Sequence, residues 1–289
     1  MVSSDILLME EAAMAAGRVI LSYYREGQQV SNAADVRHKG ANNPLTKADL
    51  EADRLLRTTL LAARPDYGWL SEETVDSIDR LDKKRVWVVD PIDGTKEFIV
   101  GLPQFAVSIG LVEAGQTLAA CVHNPATNET FLAQRGRGAT LNHQPIHTSS
   151  RTQLIGSSCL ASRSETKRGD WDPFKQELDL TIMGSIAYKL SLVAAGQYDM
   201  TFTLTPKNEW DFCAGALLVT EAGGRVTHKG GEPCRFNNKD PRVRSLLASN
   251  GHLHSALLAR LKGIPYGPDR HGPTCTAQPI TSTGKRAES

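Results

Sequence analysis

Features that mark several other classes of protein are scarce in this sequence or missing from it. Cysteine occurs only 5 times in 289 residues, the number is odd, and no two cysteines are spaced as Cys-x-x-Cys. A disulfide framework or a structural zinc site is therefore not expected, and we predict a reducing, cytoplasmic setting. No apolar run approaches the roughly 20 residues of a membrane-spanning helix. The first residues also lack the basic and apolar regions of a secretory signal.

Aromatic side chains and an excess of charge are scarce as well. Aromatic residues make up 6% of the chain, and the formal net charge is +1. With neither a basic stripe nor a stacking platform, the sequence gives no indication of binding to a nucleic acid polymer. What remains, 40% hydrophobic and 22% charged residues, is ordinary for a globular protein and is sufficient to form a large core.

The most informative segment is the six-residue motif from Asp90 to Thr95, Asp-Pro-Ile-Asp-Gly-Thr. An apolar, β-branched run precedes it and predicts a buried strand, and the Pro and Gly within it predict a tight turn. Two carboxylates held three residues apart repel each other unless a cation lies between them, and Mg²⁺ prefers such oxygen ligands. The residues from Thr95 onwards predict a helix whose first N–H groups face an anion. We interpret the motif as a metal site beside a phosphate.

Acidic residues in two other segments agree with this interpretation. Glu72 and Glu73 follow a short apolar run, although paired glutamates are more often exposed at a surface. Asp211 opens an Ala-rich apolar segment that predicts a helix. A carboxylate in the first turn of a helix is favoured by the helix dipole, so capping alone would explain it. The metal hypothesis therefore rests mainly on the Asp90–Thr95 motif.

Hydrophobic periodicity and breakers predict the organisation of the chain. We expect an N-terminal α+β domain that binds metal and phosphate (residues 1–145), an α/β domain (146–264) and a disordered tail (265–289). Polar residues 26–43 predict a mobile loop, and Gly136 to Ala139 predicts a hairpin turn rather than a phosphate loop. The predicted strands are 68–71, 85–90, 105–113, 117–124, 129–134, 154–160, 180–183 and 245–249. The predicted helices are 5–25, one from residue 47 to Pro65, 185–195, 210–223 and 251–262.

The three acidic segments occur in an order and spacing that resemble one known family. With residues 45–49, 105–109, 184–196 and 221–224, they make the chain similar to the inositol monophosphatase family of Mg²⁺-dependent phosphatases from about residue 5 to 262. Lys96-Glu97-Phe98 and Glu209 look most like its 3′(2′),5′-bisphosphate nucleotidase branch. The resemblance implies a layered α+β and α/β fold, an α-β-α-β-α sandwich of the sugar-phosphatase type with two subdomains.

The same resemblance implies the residues that bind the cofactor, two Mg²⁺ ions. Glu72, Asp90 and the backbone carbonyl of Ile92 would hold the first ion. Asp90, Asp93 and Asp211 would hold the second, so that Asp90 bridges the two. Two ions about 4 Å apart activate an attacking water and stabilise the leaving oxygen, so no phosphoenzyme forms.

Catalytic roles follow from the resemblance too. Thr95 would position the water, with its hydroxyl bonded to Asp49, while Glu72 shares in activating it. The amides of Gly94 and Thr95 would bind phosphate oxygens, and Glu73 would help to place a third, weaker ion. Each role has a local alternative, because Asp49 also suits the first turn of a solvated helix and Thr95 also suits a helix N-cap.

Substrate preference depends on fewer residues. In the inositol-specific branch an acid shortly before the Trp-Asp pair contacts the ring hydroxyls, and here the matching residue is Leu204, which cannot accept hydrogen bonds. This departure favours 3′-phosphoadenosine 5′-phosphate, hydrolysed to AMP and phosphate, over inositol 1-phosphate. Lys189 and Lys207 are candidates to bind the second phosphate, although the Ser185-to-Lys189 spacing is closer to the inositol branch and lysine is mostly exposed. The expected substrate contacts are Asp93, Gly94, Thr95, Ser185, Lys189 and Asp211.

The resemblance further implies a role in sulfur assimilation, inhibition by Li⁺ and a homodimer. One alternative is a haloacid dehalogenase phosphatase, but its Asp-x-Asp-Gly-Thr motif has one residue between the acids and lies near the start of the fold. Here two residues separate Asp90 and Asp93, about 90 residues into the chain. Another alternative is a non-catalytic relative that binds metal or phosphate and regulates a partner. The complete set of expected ligands argues against it.

Overall fold

Both helices and strands form in a computed structural model that describes residues 2–30, 34–40 and 43–267. The helices are α1 (Val2–Tyr23), α2 (Lys47–Ala63), α3 (Thr95–Ile99), α4 (Arg163–Lys167), α5 (Ile186–Ala194), α6 (Glu209–Glu221) and α7 (His254–Leu261). None of these helices of the described residues is long and apolar enough to cross a membrane.

A large mixed sheet forms from the first half of the chain. Its strands, in chain and spatial order, are β3 (Gly68–Ser71), β4 (Arg85–Asp93), β5 (Ala106–Glu113), β6 (Gln116–Asn124), β7 (Glu129–Gln134), β8 (Ala139–Leu141) and β9 (Gln144–Ile146). β3 and β4 are parallel, and the later neighbours are antiparallel. Side chains alternate along β4, so that Trp87 and Val89 pack with α1 and α2 while Val86 and Val88 pack with α5 and α6.

A second, smaller sheet has the order β11-β10-β12-β16-β14. Its strands are β10 (Ser157–Ser162), β11 (Leu178–Met183), β12 (Met200–Thr203), β14 (Arg225–Thr227) and β16 (Leu246–Ser249). β10 is parallel to β11 and β12, whereas β16 is antiparallel to β12 and β14. Helices α5 and α6 lie between the two sheets, and α7 packs on the outer face of the second sheet. The α-β-α-β-α layering predicted from the resemblance is thus confirmed.

Short strand pairs complete the fold. β1 (Arg37–Gly40) pairs with β2 (Asn43–Leu45), and β13 (Lys207–Asn208) pairs with β15 (Arg242–Val243). The first pair lies largely within residues 26–43, where the sequence predicts a loop, so this prediction is wrong for residues 37–40 and 43. The predicted hairpin turn after residue 134 is confirmed, since β7 and β8 are antiparallel neighbours across it.

Other predictions are corrected or untested. β4 continues through Pro91 to Asp93 instead of ending at Asp90, and β12 and β14 were not predicted. β9 spans the predicted division between residues 145 and 146 and pairs with the first sheet. The division of the chain at residues 145 and 146 stays a prediction, and the predicted tail lies, from residue 268 onwards, outside the described residues.

Candidate active site

The end of β4 and the turn after it present the acidic motif to a cleft of about 740 Å³. Pairing with β5 becomes irregular between Asp90 and Asp93, so the two acids leave the regular ladder at the end of the strand. Gly94 follows with a φ of 101°, and a Cβ there would lie 2.6 Å from the carbonyl oxygen of Gln104. Only glycine fits this position, and the helix α3 begins at the next residue, Thr95.

Three carboxylates from separate elements converge in this cleft. Oxygen atoms of Glu72, Asp90 and Asp211 lie within 4.8 Å of one another; we call these residues the acidic triad. Glu72 directly follows β3, and its amide donates to the carbonyl of Val89, which places it beside Asp90. Asp211 stands in the first turn of α6, where one of its oxygens accepts the amide of Asn208 at 3.0 Å. Asp211 can therefore cap α6 and belong to the acidic triad at the same time.

Each ionised carboxylate of the cleft makes ionisation of the others less favourable. Burial, followed by the charges of its acidic neighbours, raises the pKa of Asp90 well above its ordinary value. Burial, followed by the charges of Asp93 and Glu72, also raises the pKa of Asp211 well above its ordinary value. Such a set of hard oxygen donors fits a divalent cation, because a bound cation replaces the repulsion by attraction.

Asp93 lies beside the triad and is anchored by the start of α5. Its Oδ2 accepts hydrogen bonds from the Ser185 hydroxyl at 2.7 Å and from the Ala187 amide at 2.5 Å. Burial raises the pKa of Asp93 to about 6, against the lowering effect of these bonds and of Lys189. The structure thus brings the predicted substrate residue Ser185 to Asp93. Metal binding by Asp93 stays a prediction, since within the described residues the triad forms without it.

The predicted water-positioning pair is in contact. The Thr95 hydroxyl lies 3.2 Å from Oδ1 of Asp49 and 3.0 Å from the carbonyl oxygen of Ile92. Asp49 is buried rather than solvated, and its Oδ2 accepts the amide and hydroxyl of Thr46 as part of the capping box of α2. The Ile92 carbonyl, predicted as a metal ligand, is thus in contact with Thr95, and Ile92 lines the cleft.

Basic side chains line another part of the same cleft, and we call this set the basic wall: Lys96, Arg163, Lys167, Arg168, Lys189 and Lys207. Lys189, on α5, is only 3% exposed, so the alternative of a surface lysine is wrong. Within the described residues its ammonium has no hydrogen bond or ion pair. Burial lowers the pKa of Lys189 to about 8, although the Glu165 carboxylate acts in the opposite direction. An ammonium so placed is suited to an anionic ligand.

Glu165 organises the basic wall and was not predicted from the sequence. It is buried on α4, accepts hydrogen bonds from the hydroxyls of Thr203 and Thr205, and lies 3.8 Å from the Lys207 ammonium. Although burial raises it, Lys207 and Lys189 hold the pKa of Glu165 below its ordinary value. A signal was present, because residues 163–168 follow a predicted strand and carry four charged side chains. The carboxyl end of such a strand is where ligands usually bind.

Three other sequence candidates lie away from the cleft lining. Glu73 donates its amide to Ser71 at 3.4 Å, and its role in holding a third ion stays a prediction. Leu204 packs against the outer core of the second sheet. Glu209, used to assign the branch, is fully buried and accepts hydrogen bonds from Asn237 and Asn238.

Comparison with known proteins identifies the family to which the chain belongs. The model of the inositol monophosphatase family matches residues 3–266. The chain belongs to the inositol monophosphatase family. Membership in this family of phosphoric monoester hydrolases excludes the haloacid dehalogenase interpretation of the Asp90–Thr95 motif.

Curated relatives of this family member carry two kinds of name. An inositol-1-monophosphatase of Mesorhizobium japonicum is 35% identical over 268 residues, which cover 90% of this chain and 97% of that protein. The Nus factor SuhB of Xylella fastidiosa is 34% identical over 270 residues, which cover 90% and 95%. Both relatives therefore match along almost their whole length.

Solved structures share the fold. The extragenic suppressor protein SuhB of Bartonella henselae has a TM-score of 0.79 and 32% identity, covering 90% of this chain and 99% of that one. CysQ of Bacteroides thetaiotaomicron, described as a bacterial member of the family, has a TM-score of 0.70 and 28% identity, covering 85% and 97%.

Proposed function

We propose that this chain is a Mg²⁺-dependent phosphomonoesterase that hydrolyses a small phosphate ester by direct attack of water. The convergence of Glu72, Asp90 and Asp211 at the end of a cleft supports this function most strongly. These residues, with Asp93 and the Ile92 carbonyl, would hold two Mg²⁺ ions, and Glu73 would help to place a third. Bound there, divalent ions supply activation of water and neutralisation of the charge that develops on the phosphate and the leaving oxygen.

The chain's own groups orient the reactants. The Thr95 hydroxyl has one hydrogen to donate, to Asp49 or to the Ile92 carbonyl, so its lone pairs accept a hydrogen bond from the attacking water. Asp49 stays in place because Thr46 donates two hydrogen bonds to it. The amides of Gly94 and Thr95 would bind the phosphate oxygens, since both residues line the cleft.

As substrate we propose 3′-phosphoadenosine 5′-phosphate, which carries a second phosphate besides the one removed. The basic wall supports this choice, in particular the buried Lys189 ammonium, which makes no hydrogen bond or ion pair among the described residues. Lys207, 3.8 Å from Glu165, adds a second cation. A neutral polyol such as the inositol ring gives these cations no counter-charge. The products would be AMP and phosphate, a step that would belong to sulfur assimilation.

Two alternatives follow from the names of the relatives. Inositol 1-phosphate is the alternative substrate, and it keeps the same metal chemistry. A non-catalytic role is the alternative of a different class, because some relatives at a similar level of identity are named Nus factors. The homodimer expected from the family resemblance stays a prediction.

Phosphate release tests these functions in one experiment. 3′-Phosphoadenosine 5′-phosphate and inositol 1-phosphate are compared at equal concentration with Mg²⁺, with EDTA, and with Mg²⁺ plus Li⁺. We expect Mg²⁺-dependent, Li⁺-inhibited release that favours the nucleotide. Preference for inositol phosphate would overturn the substrate but keep the mechanism. Absence of release from both, and from a panel of other small phosphomonoesters, would favour the non-catalytic role.

A further inference from the structure

A buried arginine outside the cleft lining connects the segments that carry two members of the acidic triad. Arg80 lies on a 3₁₀ turn (Ile78–Asp82) and is 3% exposed. Its guanidinium donates to the Asp76 carboxylate at 2.7 and 3.0 Å. The same group donates to the side-chain oxygen of Asn237 at 2.6 Å and to the backbone carbonyl of Asn238 at 2.8 Å. Four of the five N–H groups of this guanidinium are thus used to join residues 76–80 to residues 237–238.

The segment before Glu72 is fixed to Arg80 by close packing. Gly68 begins β3, the strand that ends immediately before Glu72. A Cβ added to Gly68 would lie 3.1 Å from Cβ and 3.2 Å from Cα of Arg80. The backbone of Arg80 therefore lies directly against this strand, and a displacement of one displaces the other.

Asn237 and Asn238 are held from the other side by the start of α6. The fully buried carboxylate of Glu209 accepts the backbone amides of both asparagines and the side-chain amide of Asn238. Glu209 is the first residue of α6, and Asp211 follows two residues later in the same turn. Arg80, the two asparagines and Glu209 thus form a continuous connection, which we call the Arg80 bridge.

The triad needs such a connection because its members repel each other and come from distant parts of the sequence. Their carboxylate oxygens lie within 4.8 Å of one another, so the ionised carboxylates repel each other unless a cation lies between them. Glu72 and Asp211 belong to different layers, at the end of a strand and the start of a helix. The hydrogen bond of Glu72 to Val89 fixes it relative to Asp90 but not relative to α6.

We propose that Arg80 is a positioning residue which, through the Arg80 bridge, sets the separation of Glu72 and Asp211 and thereby the affinity of the triad for a divalent cation. The inference rests on the proposed function only in taking the triad as a cation site. Mutation of the groups that orient metal ligands without touching the metal typically lowers metal affinity about 10- to 100-fold.

Cation binding without substrate tests this role. Free Mn²⁺ is measured by electron paramagnetic resonance while the wild-type protein, Arg80→Lys and Asn237→Gly are titrated. Lysine keeps the charge but cannot reproduce the forked set of four bonds. Glycine keeps the backbone at residue 237, whose φ is 62°, and removes only one acceptor. We expect the Mn²⁺ dissociation constant to rise about 10- to 100-fold in Arg80→Lys and less in Asn237→Gly.

Arg85→Lys is the matched control. Arg85 is also a largely buried arginine, paired with Asp5 and Glu113 at the opposite end of β4 from the triad. We expect it to lower the melting temperature like Arg80→Lys but to bind Mn²⁺ as the wild type does. Folded Arg80 and Asn237 variants with wild-type affinity, or an equal loss in Arg85→Lys, would overturn the inference.

The same titration separates this inference from the proposed function. Wild-type protein that binds no Mn²⁺ contradicts both. Wild-type protein that binds Mn²⁺ more tightly than Arg80→Lys but hydrolyses no phosphate ester supports the bridge and contradicts only the enzymatic function. At saturating Mg²⁺, we expect Arg80→Lys to recover a kcat close to that of the wild type, because Arg80 does not line the cleft.

Discussion

The hydroxyl of Thr95 lies 3.2 Å from Oδ1 of Asp49, although 46 residues separate them in the sequence. The contact joins the first turn of α2 to the turn that presents the acidic motif. It gives the hydroxyl a fixed acceptor and leaves its lone pairs directed elsewhere. In the proposed mechanism this contact orients the attacking water.

Replacement of Thr95 by valine tests that role. Valine has a similar shape but no hydroxyl, so we expect kcat for 3′-phosphoadenosine 5′-phosphate to fall about 10²- to 10⁴-fold. Thr95→Ser keeps the hydroxyl and serves as the control, with activity within about tenfold of the wild type. Mn²⁺ affinity is expected to change little in both. Near wild-type turnover by Thr95→Val would show that the hydroxyl does not act on the water.

Repulsion within the triad predicts that one of its members is unfavourable for stability when no cation is bound. Asp90 is 1% exposed, and its pKa is raised by burial and by four acidic neighbours. We expect Asp90→Asn to raise the melting temperature of the metal-free protein by a few degrees, about 1 kcal/mol for a chain of this size. Scanning calorimetry in EDTA measures this change. A lower melting temperature for the variant would contradict the electrostatic account.

The same repulsion predicts how the stability of the metal-free protein depends on pH. An acid whose pKa is higher in the folded than in the unfolded state binds more protons when folded, so the free energy of unfolding decreases as pH rises. For Asp93 the decrease spans the range from its ordinary value of 3.8 to about 6. Burial and neighbouring acids raise the pKa of Asp90 and of Asp211, so these two groups contribute in the same direction. We expect urea unfolding in EDTA to show lower stability at pH 6 than at pH 4.5.

The matched comparison is the Asp90→Asn, Asp211→Asn double variant, in which this slope should be smaller. Saturating Mg²⁺ should also reduce it, because the cation favours the ionised carboxylates. An identical slope for the wild type and the double variant would mean that other groups determine the pH dependence.

Lys189 should discriminate substrates by their second anionic group. Adenosine 3′-phosphate has the same leaving phosphate as 3′-phosphoadenosine 5′-phosphate but lacks the other one. We expect Lys189→Gln to lower kcat/KM for the bisphosphate on the order of 100-fold, and much less for the monophosphate, because a buried charge-assisted contact is lost. Equal losses for the two substrates would assign Lys189 to the transferred phosphate or to the fold.

The pKa of Lys189, about 8, adds a pH dependence. The ammonium loses its charge as pH rises through this value, so kcat/KM for the bisphosphate should fall above pH 8. That fall should be absent in Lys189→Gln, whose remaining activity has no such group to titrate. A wild-type profile that stays flat to pH 9.5 would contradict the role of the ammonium in the free enzyme.

Local sequence signals were sufficient to predict that Asp90 and Asp93 lie together in the site. A buried strand that leads into Asp-Pro-Ile-Asp-Gly places Asp90 and Asp93 at its end, although the strand continues through Pro91 to Asp93 rather than ending at Asp90. Hydrophobic periodicity predicted most of the helices and strands along the chain, whereas their arrangement in layers was predicted from the family resemblance. Grouping of Glu72 with Asp211 required the family resemblance, because no local pattern relates residues so far apart.

The burial of Lys189 and the strand β12 could not be predicted in this way. Lys189 is buried because α5 lies between two sheets. The packing of the layers determines this burial, and the residues next to Lys189 in the sequence do not indicate it. Thr201 and Thr203 make β12 look polar, yet both are buried, and their hydroxyls donate to the Leu160 carbonyl and to Glu165. Such polar groups are accommodated only by partners that the fold supplies.

The most direct test of the central claim is a Mg²⁺ titration of phosphate release from 3′-phosphoadenosine 5′-phosphate by the wild type and by Asp211→Asn. We predict that wild-type release increases with Mg²⁺, stops in EDTA and returns when Mg²⁺ is added back, while the variant stays inactive at every Mg²⁺ concentration. Release by the wild type that persists in EDTA, or full release by Asp211→Asn, would contradict the claim that the acidic triad performs the hydrolysis with Mg²⁺.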